Sequence, residues 1–225
     1  ISFIDFNGNQ HCLAYLGARR LPTRRIEGLS VALDCASALS APEALAGVAG
    51  AARVTSTEWH PLFRLPTRIA QPKRITTLVY DASGAHCGAR GALCSLTVQA
   101  TTDANGAAGF GATPEGAARV RTFTYDARGQ VLTIDGPRAD APDITRFEYD
   151  AQGNLATITN ALGHATRIPA HDAHGLPLTI IDPNGRVTSL AYDARQRLRT
   201  RTVGAERTSY DYNAAGQLTQ VTNPD

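Results

Sequence analysis

Apolar and polar residues alternate along much of the chain, a pattern typical of β-strands. In the second half, bulky apolar residues stand two positions apart, as Phe147 and Tyr149 do. Side chains two residues apart lie on the same face of a strand. A turn sequence follows each such pair, and a second short stretch rich in Leu, Ile and Thr comes next, for example residues 155–159 and 218–222. The pattern predicts a series of β-hairpins with one apolar face.

The turn sequence recurs as an aromatic residue, Asp, two variable residues and Gly. Successive copies from Tyr125 onward are separated by 24, 22, 21 and 20 residues. We call the aromatic position the anchor and the turn after it the anchor turn. The predicted signature residues, with substitutions in the later copies, are Tyr80, Asp81, Gly84, Tyr125, Asp126, Gly129, Tyr149, Asp150, Gly153, His171, Asp172, Gly175, Tyr192, Asp193, Tyr212, Asn213 and Gly216.

Each anchor turn has the chemistry of a hairpin tip. An Asp that opens a four-residue turn can accept hydrogen bonds from backbone amides, and Gly three residues later adopts a positive φ easily. This combination is typical of a type I turn closed by a G1 bulge. An eroded copy begins at Tyr15, 65 residues before Tyr80, and Tyr80 precedes Tyr125 by 45 residues. We interpret these gaps as three and two periods with copies lost or replaced by insertions.

A single two-stranded hairpin is marginally stable in water, so the hairpins must lie side by side. We therefore predict an all-β fold, an antiparallel strip of hairpins that curls around its apolar face. Residues 1–112 form an irregular segment and residues 113–225 a regular one, in one continuous repeat domain. Loops are inserted at about 40–52 and 101–118, the first with a short helix that begins at a Ser40 capping signature. Trp59 is interpreted as a packing anchor.

The repeat resembles the YD-repeat, or RHS-repeat, family, whose unit is Tyr-Asp, two variable residues and Gly-Arg-Leu, with a further Gly and Thr between anchors. Residues 163–166, 185–188 and 204–208 match that second half of the unit. The resemblance implies a β-strip that spirals into part of a hollow shell, which encloses a C-terminal toxin in bacterial polymorphic toxins. These are often exported by type VI secretion, and related shells occur in insecticidal toxin complexes and in teneurins. A structural, non-enzymatic role as a container follows from the resemblance.

The family carries a proline-rich and aspartate-rich self-cleavage motif at the end of its shell. Here residues 177–185 contain Asp182 and Pro183, but two more repeats follow them, so we interpret this stretch as an ordinary turn and expect no self-cleavage. The chain has no methionine, and we expect it to be a fragment of a longer bacterial chain whose remainder and toxin cargo are its partners. It is expected to be made in the cytoplasm and exported or displayed at the cell surface.

Charge and composition exclude some partners. Basic residues number 22 and acidic residues 20, a formal net charge of +2, which is too small to favour nucleic acid. No apolar run is long enough for a membrane span, and the N-terminal residues lack the basic region of a signal peptide. We expect no cofactor.

Three arginines offer an alternative function. Arg197, Arg199 and Arg201 alternate with other residues and are predicted to share a sheet face, where guanidinium groups can bind carboxylates or sulfates. We favour a solvated face whose charges discourage sheet stacking over a ligand site as the interpretation of these arginines. The alternative to a shell is therefore a carbohydrate-binding surface module.

Cysteine and histidine patterns give little support for catalysis or metal binding. No Cys-x-x-Cys pair occurs, and His171 and His174 occupy ordinary repeat positions, so no metal or catalytic site is predicted. Cys87 and Cys94 flank a glycine-rich turn and are a possible disulfide, whereas Cys12 and Cys35 lie in irregular sequence. An enzyme that uses His86 or His171 is the third hypothesis.

Overall fold

The computed structural model describes residues 1–46 and 52–224. Those residues contain seventeen strands, one short α-helix and two 3-10 helices. The strands are β1 Ser2–Ile4, β2 Gln10–Leu16, β3 Leu21–Leu29, β4 Arg53–Trp59, β5 Pro66–Gln71, β6 Arg74–Tyr80, β7 Leu93–Ala100, β8 Arg119–Tyr125, β9 Val131–Asp135, β10 Ile144–Tyr149, β11 Leu155–Thr159, β12 Ala165–His171, β13 Pro177–Ile181, β14 Val187–Tyr192, β15 Leu198–Val203, β16 Glu206–Tyr212 and β17 Leu218–Thr222. The helix α1 is Cys35–Ser40, and the 3-10 helices are Pro42–Leu45 and Gly109–Gly111.

The chain divides into two compact units. The first comprises Ile1–Gln130 and Gly136–Arg138, and the second comprises Val131–Asp135 and Ala139–Asp225. In the first unit each strand from β1 to β8 pairs antiparallel with the next. In the second unit β9 to β17 pair in the same way. The predicted all-β, antiparallel hairpin fold is confirmed.

A one-residue register shift marks the strand end before most anchor turns. It lies beside Tyr80, Tyr149, Tyr192 and Tyr212, where the pairing of the anchor strand with the strand after the turn skips one residue of that second strand. Such a bulge adds a residue to one strand and increases the local twist. The anchor turns therefore shape the sheet as well as reverse the chain.

The described buried core is small and lies in the first unit. It gathers residues of β2, β3 and β4 with residues of the two inserted loops: Cys12, Ile26, Leu29, Ala38, Leu45, Ala52, Val54 and Ala107. Asn105 joins the two insertions, because its side-chain amide donates to the Leu45 carbonyl at 2.8 Å. The Arg24 guanidinium donates to the Leu39 carbonyl, which ties α1 to β3.

The predicted helix in the first insertion is displaced. Instead of beginning at Ser40, α1 ends there. It begins at Cys35 because Asp34 caps its N-terminus by accepting hydrogen bonds from the Ser37 amide and hydroxyl at 2.8 and 2.9 Å. Pro42 lies at the start of the 3-10 helix, where its missing N–H costs no hydrogen bond. Residues 47–51 of the predicted helical stretch lie outside the described residues.

The long gaps contain insertions, one of the two predicted explanations, but they hold fewer periods than the predicted three and two. Two hairpin periods separate Tyr15 from Tyr80, and an inserted loop between β3 and β4 lengthens the first of them. One period separates Tyr80 from Tyr125, because the connections β6–β7 and β7–β8 are both enlarged. Insertions alone account for the irregular spacing.

Candidate functional site

The anchor turns share one hydrogen-bond pattern. In the turn opened by Asp193, Oδ1 accepts from the N–H groups of Arg195 and Arg197 at 2.9 and 3.0 Å. The Asp193 N–H donates to the Arg197 carbonyl at 2.9 Å. Equivalent side-chain bonds occur at Asp126 and Asp172, and the bond to the fourth residue recurs at Asp150 and Asn213. One side chain thus organises each hairpin tip.

Charge strengthens the turn at Asp193. Arg197 Nη2 lies 2.7 Å from Asp193 Oδ2, and its guanidinium also stands 4.4 Å above the Tyr212 ring. The hydrogen bonds from the Arg197 side chain and backbone lower the pKa of Asp193 to about 2. The carboxylate is therefore ionised at neutral pH, in the form that accepts hydrogen bonds.

Glycine at the fourth turn position is required by backbone conformation. Gly129, Gly153, Gly175 and Gly216 have φ between 82° and 92°. Gln196 occupies the same position with a φ of 63°, a left-handed conformation that disfavours a residue with a Cβ atom. The repeat at Tyr192 therefore keeps the turn without its glycine, at some cost in stability.

Tyrosine hydroxyls connect one repeat to the next. Each hydroxyl donates to a backbone carbonyl of the first residue of the strand that follows the preceding anchor turn. The pairs are Tyr125 with Leu93 at 2.9 Å, and Tyr149 with Val131, Tyr192 with Pro177 and Tyr212 with Leu198 at 3.0 Å. We call these bonds tyrosine ties. Burial raises the pKa of Tyr125 and Tyr192, which keeps both donor hydroxyls protonated.

His171 replaces the tyrosine at one anchor. Its side chain is only 8% exposed, and Nδ1 lies 3.9 Å from Oδ2 of Asp150 in the preceding anchor turn. His174 lies 3.8 Å from a different carboxylate, Asp172. The two histidines therefore face separate anchor turns.

A further copy of the repeat was missed in the sequence. The indole N–H of Trp59 donates to the Pro22 carbonyl at 2.9 Å, as an anchor tyrosine would. His60 Nδ1 accepts from the N–H groups of Leu62 and Phe63 at 3.1 and 3.2 Å, as a turn aspartate would. The spacing was the available signal, because Trp59 stands 21 residues before Tyr80.

The turn at Tyr80 is a larger loop built around a buried carboxylate. Asp81 is 1% exposed and accepts hydrogen bonds from the N–H groups of Ser83, Gly84, His86 and Cys87. These bonds hold the pKa of Asp81 far below its usual range, and the bond from the Cys87 N–H has the largest effect. The carboxylate serves as the centre of the loop.

Two disulfides hold the non-repeat segments. Cys87 and Cys94 are joined across the enlarged anchor turn, with their Cα atoms 5.5 Å apart. Cys12 and Cys35 are joined with Cα atoms 5.7 Å apart, which fixes α1 to β2. No sequence signal singled out the second pair, because the inserted loop between β3 and β4 must fold back before the two residues meet.

The three arginines of the predicted ligand stripe differ in their surroundings. Arg197 is engaged with Asp193, and Arg199 Nη1 lies 2.9 Å from Asp211 Oδ1. Arg201 is exposed, and its guanidinium group forms no hydrogen bond or ion pair with any described residue. Two of the three guanidinium groups thus already have carboxylate partners, and the carbohydrate site stays a prediction.

The described residues offer one cluster of metal-ligating atom types, Asp81 with Cys87 and Cys94. Both sulfur atoms are in the disulfide, and the Asp81 oxygens already accept four backbone hydrogen bonds. This cluster is therefore a structural unit. His86 lies next to it as an exposed residue, and its neighbour Cys87 is not a free thiol. The described helices include none that is long and apolar enough to cross a bilayer.

Comparisons with known proteins agree with this geometry. Residues 171–208 match the family described as RHS Repeat. No curated protein matches the sequence. Solved structures with the same fold include TcdB2-TccC3-Cdc42, at 18% identity and a TM-score of 0.70, and TcdB2-TccC3 without its hypervariable C-terminal region, at 17% and 0.70.

The Tc holotoxin pore of Photorhabdus luminescens with a mutated TccC3 also shares the fold, at 18% identity and a TM-score of 0.68. Each comparison covers 99% of this chain and 11% of the solved chain, so the chain spans about a ninth of those proteins. The repeat match over residues 171–208 and the fold shared over almost the whole chain agree with the resemblance to RHS-repeat, or YD-repeat, proteins that the turn sequence indicated.

Proposed function

We propose that the chain forms part of the wall of an RHS-type shell that encloses a polypeptide, and that it has no catalytic activity of its own. The wall would isolate the enclosed chain from proteases and from the cytosol until delivery. The enclosed polypeptide is proposed to be a toxin of a bacterial protein that is exported.

The row of tyrosine ties carries this proposal. Each tie joins a partly buried hydroxyl to the backbone of the preceding repeat, so the hairpins are fastened in series. In the second unit most strand residues are only half-buried. An extended sheet that is stabilised between neighbouring repeats suits a wall better than it suits an enzyme with a deep pocket.

The proteins that share the fold support the same role at the level of architecture. The similarity extends over almost the whole chain and over a small part of each much longer chain. A segment of this kind is expected to act with the rest of a long repeat sheet.

Limited proteolysis of the purified protein, in the longest form that its gene encodes, tests the proposal. We expect one polypeptide segment to resist trypsin under native conditions and to become digestible at the urea concentration that opens the sheet. The proposal fails if every segment outside the sheet is digested at the rate of an unfolded chain before any urea is added.

A further inference from the structure

Strand β8 carries two arginines that the repeat architecture does not use. Arg119 pairs directly with Val98 of β7, and Arg121 pairs directly with Leu96. Directly opposed residues of an antiparallel pair share one face of the sheet. These four residues and Pro137 line a groove of about 250 Å³, which we call the Arg119 groove.

The two guanidinium groups lack carboxylate partners. Both arginines are exposed, and neither guanidinium group forms a hydrogen bond or ion pair with the described part of the chain. By contrast, Arg68 lies 3.3 Å from Glu58, and Arg199 is paired with Asp211. The Arg119 groove is therefore a positively charged surface with an aliphatic floor.

The spacing of the charges indicates the form of the ligand. Residues two apart on a strand are separated by roughly 6.5 to 7 Å along the chain direction. Carboxylates on alternate residues of an extended polypeptide have the same spacing, so each can meet one guanidinium. Guanidinium and carboxylate groups also match in hydrogen-bond geometry.

The lining favours a polypeptide over other anions. Leu96, Val98 and Pro137 provide an aliphatic floor that fits a Leu, Ile or Val side chain. Among the described residues, the lining includes no aromatic ring on which a sugar or a nucleobase could stack. The net charge of +2 is also small for a nucleic-acid surface.

We propose that the Arg119 groove binds an extended acidic segment of the enclosed polypeptide. Carboxylates on alternate residues contact Arg119 and Arg121, and a neighbouring aliphatic side chain packs on Leu96 and Val98. The identity of the ligand as the enclosed chain rests on the proposed shell function, whereas the binding chemistry of the groove is tested separately.

Fluorescence anisotropy of a labelled 12-residue peptide, two repeats of Glu-Thr-Glu-Thr-Leu-Thr, measures the binding directly. We expect the protein to bind this peptide and to bind it less well as ionic strength rises. The Arg119→Ala/Arg121→Ala variant should weaken binding about five- to tenfold, because two exposed ion pairs are lost. The matched control is Arg167→Ala/Arg207→Ala, which removes the same charge from two exposed arginines whose guanidinium groups contact no carboxylate among the described residues.

The other outcomes overturn the proposal. An equal loss of peptide binding in both double variants would show that the peptide is attracted by the net charge of the protein alone. Binding of a heparin fragment that depends on Arg119 and Arg121, without peptide binding, would make the groove a glycan site. Undetectable peptide binding by a wild-type protein with an intact circular dichroism spectrum would reject the groove as a docking surface. The proteolysis result above would stand in each case, so the two proposals fail separately.

Discussion

At the scale of single residues, the tyrosine tie is the contact that most distinguishes this sheet from a simple run of hairpins. The Tyr192 hydroxyl donates to the Pro177 carbonyl at 3.0 Å from a partly buried position. Tyr192→Phe leaves that carbonyl without its donor and keeps the ring. We expect the free energy of unfolding to fall by about 1 kcal/mol in urea denaturation.

The control for this variant is Tyr15→Phe. Tyr15 is 41% exposed, and no hydrogen bond joins its hydroxyl to a described residue. Its removal should change the unfolding midpoint very little. Equal effects of the two substitutions would show that the ties contribute nothing beyond packing.

The left-handed Gln196 gives a second prediction at this scale. With φ at 63°, Gln196 stands where other anchor turns have glycine. Gln196→Gly relieves the Cβ strain of roughly 1 kcal/mol, partly offset by the greater freedom of glycine in the unfolded chain. We expect a net stabilisation of a few tenths of a kcal/mol, measured by chemical denaturation.

The complementary variant is Gly216→Ala in the next anchor turn. Gly216 has a φ of 88°, so the new Cβ should destabilise the protein by about 1 kcal/mol. If both substitutions shift the free energy of unfolding in the same direction, the left-handed backbone conformation does not determine the stability of these turns.

At the scale of elements, the two insertions depend on contacts that are far apart in sequence. Gly106 packs so closely on β4 that an added Cβ would lie 2.0 Å from the Val54 carbonyl oxygen. Gly106→Ala must therefore displace the 101–118 loop from the core, and we expect a loss of 2 kcal/mol or more, at the upper range of single substitutions. Thermal unfolding of the variant measures this loss.

Gly116→Ala is the matched control for Gly106→Ala. Gly116 also has a positive φ, 69°, but no atom outside its neighbours lies within 4 Å of the added Cβ. It should therefore show only the conformational cost of about 1 kcal/mol. The difference in stability loss between the two variants measures the effect of the close approach to Val54.

The Cys12–Cys35 disulfide is the other element-scale constraint. It closes a loop of 23 residues and fixes α1 over β2. Cys12→Ala/Cys35→Ala should lower stability by about 3 kcal/mol according to the loop-closure estimate. In hydrogen exchange, the amides of α1 and β2 should lose protection while the amides of β14 to β17 keep theirs. Uniform loss of protection would contradict a local role for the bond.

The sequence predicted the anchor turns because their chemistry is local. An Asp or Asn and, in most copies, a Gly three residues on determine the tip, whatever lies elsewhere in the chain. The insertions were poorly predicted for the opposite reason. Asn105 meets Leu45, 60 residues away, and Cys12 meets Cys35 only after α1 has docked. The copy at Trp59 and His60 was hidden because different residue types make the same hydrogen bonds.

At the scale of the whole molecule, the turn carboxylates together make the stability of the folded protein depend on pH in the acidic range. Hydrogen bonds lower the pKa of Asp5 and Asp193 to about 2, from an ordinary value of 3.8, and lower those of Asp81, Asp150 and Asp172 as well. Since these groups release protons more easily when folded, their stabilisation is complete above pH 3.8 and is lost as pH falls toward 2.

Urea denaturation across pH measures this dependence. We expect a nearly constant midpoint between about pH 5 and 7 and a progressive fall from about pH 4 to 2. An Asp193→Asn variant should show a shallower fall, because asparagine can still accept the turn bonds but does not titrate. A midpoint that rises on acidification would contradict the assignment of the turn carboxylates as ionised acceptors.

The chain shares its fold with about a ninth of each much longer solved chain, so the role of the hairpins must be tested on the whole protein. Electron cryomicroscopy of the longest form of the protein tests most directly whether these hairpins form an enclosing wall. We expect a continuous hairpin sheet with the anchor turns at successive bends and density for a polypeptide on the enclosed side. A sheet that is open to solvent on both faces, with no polypeptide against it, would rule out the proposed shell.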